Sequence, residues 1–146
     1  MKRKKLILLN FCNGVYGGIE SFLLNAFYCL DMNEFDVTFL TCGRTTYDMF
    51  CDEIEQRGGH VTEIPLIADS YMSKLKLYGE LVRYFNQIKP DIVHINSGTM
   101  SFQFLAAKAS KRAGVSRVIL HSHNFLPGQV GIKECIKAIL KKDLLI

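Results

Sequence analysis

Two kinds of apolar patterning take turns along the chain. Leu6-Ile7-Leu8-Leu9-Asn10-Phe11-Cys12 is a nearly continuous apolar run of strand length. Beyond it, Ile19, Leu23, Ala26, Phe27 and Leu30 recur at steps of three and four, the spacing of one helix face. Gly14-Val15-Tyr16-Gly17-Gly18-Ile19-Glu20 joins them, so this region reads as strand, glycine turn, helix N-terminus. Phe35 to Thr41, β-branched and aromatic, predicts a second strand. Thr46 to Arg57 predicts a helix with Met49, Phe50 and Ile54 inward, stopped by left-handed geometry at Gly58-Gly59. His60 to Ile64 predicts a short third strand, closed by Pro65.

Ser73 is the expected N-cap of a long helix with Leu75, Tyr78, Leu81, Val82, Phe85 and Ile88 on one face. Lys76 and Glu80 are expected to pair on the other face, and Lys89-Pro90 ends the helix. Asp91 to Asn96 predicts a fourth strand. A helix rich in small residues follows to about Arg112, capped by Gly114, and Arg117 to Ser122 predicts a fifth strand. Strands alternating with helices, the strands mostly continuous apolar runs, imply a doubly wound parallel α/β sheet covered on both faces. The expected division is one Rossmann-like domain over residues 1–125. Residues 126–146 are expected to form a loop and a short amphipathic helix.

Composition narrows the function. With 146 residues, 49% hydrophobic and 22% charged, the chain can bury a core and is not disordered. A net charge of +4 suits phosphorylated ligands or an anionic membrane surface and is too weak to argue for nucleic acid. Five cysteines without a C-x-x-C pair read as buried, reduced thiols. Lys2-Arg3-Lys4-Lys5 before an apolar run imitates a signal peptide, but Asn10 and Asn13 interrupt the run and no small-x-small cleavage site follows. No apolar run approaches the ~18 residues of a spanning helix. The expectation is a cytoplasmic protein, at most peripheral to the inner face of the membrane.

Ligands of such sheets lie outside the carboxyl ends of the strands. Three polar clusters map there: Asn13 to Gly18, Asn96-Ser97-Gly98-Thr99, and His121-Ser122-His123-Asn124. The glycine loop at a helix N-terminus suits a phosphate; it serves equally as a tight βα turn. His121 and His123 are expected on opposite faces, with His123 toward the ligand, donating to a phosphate or sugar hydroxyl or taking a proton. His121 and His94 are expected to be hydrogen-bonded structural histidines, and His60 to be partly exposed. No metal-ligand spacing and no G-x-S-x-G elbow appears. The glycines read G-x-x-G-G, not the dinucleotide fingerprint, and Thr41-Cys42-Gly43-Arg44 lacks the acidic residue that would hold the ribose of NAD.

Three motifs in order carry a resemblance: Val15-Tyr16-Gly17-Gly18-Ile19-Glu20-Ser21-Phe22-Leu23-Leu24-Asn25, Lys89-Pro90-Asp91-Ile92-Val93-His94-Ile95-Asn96-Ser97, and Ile119-Leu120-His121-Ser122-His123-Asn124-Phe125. Over roughly residues 4–126 the chain resembles the N-terminal half of a retaining GT-B glycosyltransferase of family 4, the group that builds capsular and exopolysaccharides. The resemblance implies transfer of a sugar from a nucleotide-sugar, commonly UDP-linked, to a saccharide or lipid-linked acceptor, with no cofactor or bound metal. It implies that Gly17 and Gly18 approach the donor diphosphate and that His123, the candidate catalytic residue, lines the cleft near the transferred sugar. Asn96, Ser97 and Asn124 are the further candidate ligand contacts, and Asn96 stands where many members carry a histidine. The family's nucleotide-binding half, with its E-x7-E element and basic pair, has no counterpart in the sequence. The expectation is therefore little transferase activity from this chain alone. The alternative is a non-catalytic assembly module that docks a separate catalytic half. Lys133, Lys137 and Lys141, with Lys74, Lys76 and Arg83, raise the expectation of contact with anionic lipid.

Overall fold

The structure, a computed structural model, describes residues 2–13, 15–44, 47–67 and 69–123, with residues 12 and 13 as backbone only. Five strands form one sheet: β1 (Lys4–Asn13), β2 (Phe35–Arg44), β3 (His60–Ile64), β4 (Ile92–Ser97) and β5 (Arg117–Ser122). Their order is β3-β2-β1-β4-β5 and every pairing is parallel. The helices are α1 (Gly18–Tyr28), α2 (Cys51–Gln56), α3 (Tyr71–Ile88) and α4 (Met100–Arg112).

Alternation along β1 builds two cores, because successive strand residues point to opposite faces. Leu6 and Leu8 pack with Val37, Phe39, Leu23, Leu24, Phe27 and Ile54 under α1 and α2. Ile7 and Leu9 pack with Val93, Ile95, Leu77, Leu81, Phe85 and Ala106 under α3 and α4. The sheet is thus covered on both faces, as the unbroken apolar strands require. The small residues of α4 sit fully buried against the second core at Ala106 and Ala109.

The expected second helix is shorter than its sequence pattern. A single 3-10 turn at Asp48–Phe50 leads into α2. Met49 is exposed, and Tyr47, just ahead of the turn, fills the core beside Phe39 with ring centroids 4.9 Å apart. A 3-10 turn advances three residues per turn, so it displaces the side chains that a 3.6-residue period would point inward. The α3 face is also shifted. Leu77, Leu81 and Phe85 are buried, while Leu75 is 54% exposed. Ser70, not Ser73, is the N-cap. Its hydroxyl accepts from the Ser73 N–H, and the Ser73 hydroxyl accepts from the Ser70 N–H. Glu80 pairs with Arg83, not Lys76. Lys89 ends α3 in the left-handed conformation (φ 53°) ahead of Pro90.

Of the described cysteines, Cys42 is buried, Cys51 half-buried and Cys29 exposed. The expectation of buried thiols therefore fails at Cys29, which follows the last turn of α1. The predicted helix after Ile132, the second division of the chain and the lysines at 133, 137 and 141 lie outside the described residues.

Candidate functional site

In the order β3-β2-β1-β4-β5, the chain winds outward in both directions from the β1–β4 pair. The crevice at the carboxyl ends of those two strands is the switch point where ligands of open α/β sheets bind. Asn10 of β1 and Asn96 of β4 are register partners there. Both are completely buried. Asn10 continues the Leu6 and Leu8 row, so it faces α1. Asn96 continues the Ile92 and His94 row on the same side. A polar pair at the end of two apolar rows is costly to bury unless bonded.

Glu20 supplies the bonds on one side. It lies in the first turn of α1, only 6% exposed. One carboxylate oxygen accepts from the Asn10 amide nitrogen at 3.2 Å, and the other accepts from the Gly17 N–H at 3.0 Å. This is the returning half of a capping box, with Gly17 as N-cap. The helix N-terminus therefore already holds a carboxylate, which complements its positive end. Gly18 is exposed, and a Cβ built on it meets no atom within 4 Å. Of the two glycines assigned to a phosphate, Gly17 has its N–H committed to Glu20, and Gly18 leaves open room.

His123 follows β5. Its Nε2 lies 3.2 Å from the Asn96 amide oxygen. The Asn96 amide nitrogen donates to the His94 carbonyl at 3.2 Å. His121 and His123 lie on one face rather than two: their rings stack with centroids 4.4 Å apart, and His94 stacks on His121 at 5.6 Å. Strand side chains alternate, so residues i and i+2 project the same way. Phe22 of α1 meets all three imidazoles edge-on, closest to His121 at 4.7 Å.

Ser97 turns away from this crevice. Its hydroxyl accepts from the Thr99 N–H at 3.0 Å and shapes the turn into α4. From the other face, Gln103 donates to the carbonyls of Ser97 at 2.7 Å and His121 at 3.1 Å, tying the ends of β4 and β5 together. Asn124 lies outside the described residues. His60 is exposed and lies 3.9 Å from Asp36, remote from the crevice. Asn10, Glu20, Phe22 and Gln103 are the site residues that the sequence reading missed. The G-x-x-E spacing of Gly17 and Glu20 was the available signal for one of them.

Burial works against a charge on His94 and on His123. Burial lowers the His94 pKa from its ordinary 6.5, and His121 and His123 lower it further. Burial and then His121 lower that of His123, while the Glu20 carboxylate partly opposes them. The unfolded chain therefore binds protons that the folded chain resists. Stability should be fully present above the unfolded value and fall as pH drops through it toward the lowered folded values of His94 and His123. Urea midpoints measured over that window should decline, and His94→Gln should flatten the decline. A midpoint that rises on acidification contradicts this account.

Among the described residues no group of histidine, cysteine and carboxylate side chains is arranged to hold a metal ion, and no helix is long and apolar enough to cross a membrane. The crevice gathers two buried amides, a buried carboxylate and three imidazoles. No curated protein matches the chain. The glycosyl transferase 4-like domain matches residues 17–140, from the N-cap of α1 through all the later strands. The chain belongs to the glycosyl transferase 4-like domain family.

Proposed function

We propose that this domain is the acceptor-side half of a GT-B glycosyltransferase in polysaccharide synthesis, acting with a UDP-linked nucleotide-sugar donor and a saccharide or lipid-linked acceptor. One observation carries the reading. Asn10, Glu20, Asn96 and His123 are linked by hydrogen bonds and strand register at the switch point of a parallel sheet. In this reading the donor diphosphate passes over Gly18, where no side chain stands, and His123 contacts the transferred sugar. Neutralising the leaving diphosphate falls to a separate donor-binding half, so transfer requires both.

Saturation-transfer NMR tests the reading with UDP-sugars, oligosaccharides and NAD side by side. Binding of the first two and not of NAD is expected. Gly18→Ala should leave stability within about 1 kcal/mol, because the position is open and its φ is not in the left-handed region. It should nevertheless weaken UDP-sugar binding. Equal binding by Gly18→Ala, or efficient radiolabelled sugar transfer by the chain alone, refutes the assignment.

A membrane contact on the inner face belongs to the same proposal. Ile67, Tyr71, Met72 and Leu75 are 54–80% exposed around the start of α3, with Lys74 and Lys76 among them. Apolar side chains flanked by lysines suit an anionic bilayer surface holding a lipid-linked acceptor. Arg83 contributes less, being paired with Glu80. Co-sedimentation with anionic but not neutral vesicles, lost in Lys74→Glu/Lys76→Glu, is expected; binding that ignores lipid charge removes this part. A second reading, a non-catalytic module docking a catalytic half, is favoured by Ile119 and Leu120, 47% and 48% exposed on β5. Partner docking without any sugar binding would support it.

A further inference from the structure

We infer that Asn96 is a positioning residue that fixes His123 in its Nε2–H form, so that His123 meets the ligand through a lone pair on Nδ1 and takes a sugar hydroxyl rather than a phosphate oxygen. This rests on the functional reading above for the identity of the ligand, but the proton assignment stands on geometry alone.

The Asn96 amide has a determined orientation. Its nitrogen donates to the carbonyl of His94, two residues back on the same strand. Its oxygen therefore faces His123 Nε2 at 3.2 Å. An amide oxygen only accepts, so Nε2 must carry the hydrogen. In a neutral imidazole the other nitrogen is then the acceptor. The ring is held in place by more than this bond. His121 stacks on it at 4.4 Å and Phe22 closes it edge-on at 5.5 Å. Asn96 itself is fully buried at the switch point, and a turned-over amide would set its oxygen against the His94 carbonyl oxygen.

The titratable groups that face the ring are His121, two residues back, His94 beyond it, and Glu20 from α1. Burial and His121 hold His123 toward the neutral form against the pull of Glu20. At neutral pH the ring therefore offers a hydrogen-bond acceptor to the crevice. An acceptor matches a hydroxyl donor and repels an anionic oxygen. Only on acidification, when Nδ1 gains a proton, does His123 become a donor to phosphate.

The test is nitrogen NMR on uniformly 15N-labelled chain. At pH above the imidazole transition, His123 should show a protonated Nε2 and an unprotonated Nδ1. Methyl hexopyranosides should shift the Nδ1 resonance and leave Nε2 in place. Inorganic pyrophosphate should shift neither until the pH falls through the transition. Asn96→Asp keeps an acceptor but adds charge, so it should raise the His123 pKa by ~1 unit or more. Asn96→Ser, which cannot reach, should free the ring and speed exchange of its Nε2 proton.

A protonated Nδ1 in the unmutated chain overturns the inference without any variant needing to fold. So does a pyrophosphate shift of Nδ1 in the neutral form, or a His123 titration indifferent to Asn96→Asp. A chain that shows the expected proton position and variant response but binds no glycoside leaves the positioning role intact and overturns the saccharide reading instead.

Discussion

Replacing Phe27 with alanine should lower stability by about 3–5 kcal/mol, the range for truncating a fully buried aromatic ring. Phe27 has no exposed surface and anchors α1 to the sheet. Its ring meets Phe39 edge-on at 5.2 Å, and the Arg57 guanidinium lies 5.9 Å from its centroid. Against a typical total of 5–15 kcal/mol, such a loss removes a large fraction of the stability. The urea midpoint should fall at unchanged slope. The other side of the same contact is Gly59. A Cβ placed there lies 2.9 Å from two atoms of the Phe27 ring and 2.9 Å from a methyl of Ile54. Gly59→Ala should therefore cost about 1–3 kcal/mol by overpacking. In a Phe27→Leu background, which withdraws the ring edge, that cost should shrink. Strict additivity of the two substitutions would show that the ring is not what excludes a side chain at Gly59.

The second large effect is expected at Glu20. Glu20→Ala leaves the Gly17 N–H and the buried Asn10 amide without the acceptor they share. Losing a helix-terminal acceptor costs ~1 kcal/mol, and losing a charge-assisted bond to a buried amide adds about 1.5–3 kcal/mol. Glu20→Gln keeps an oxygen in place and should recover part of the loss. It also removes the one charge that raises the His123 pKa, so that pKa should fall further below 6.5. Urea unfolding and an NMR titration read the two effects separately. Equal stability for Glu20→Ala and the parent would mean that water replaces the carboxylate. An unchanged His123 titration in Glu20→Gln would mean that the carboxylate does not act on the imidazole.

These two positions differ in how far they can be read from the residues alone. Phe27 falls on the three-and-four spacing of the first helix, and its burial follows from that spacing. Glu20 is a charged residue inside an apolar helix pattern. Periodicity sends such a residue to solvent, yet it is buried because Asn10 and the helix N-terminus both need an acceptor. The capping-box spacing from Gly17 to Glu20 was legible; the partnership with Asn10 was not, since it joins a strand to the helix after it.

The sequence by itself determined the alternation of strands and helices, because apolar period is a local property. His60 to Ile64 and Arg117 to Ser122 are strands at the residues predicted, and α1 begins at the glycines. Where periodicity was weak, around Tyr47 and at the start of α3, the inward face was decided by the 3-10 turn and by packing against the sheet. The tertiary structure alone decided which polar residues meet. Strand order brings β1 beside β4, so Asn10 faces Asn96 across 86 residues of chain. Register and the two-residue repeat gather His94, His121 and His123 under Phe22. Neither is encoded by neighbouring residues: a hydrogen-bonded ladder fixes them, and only the folded sheet has one.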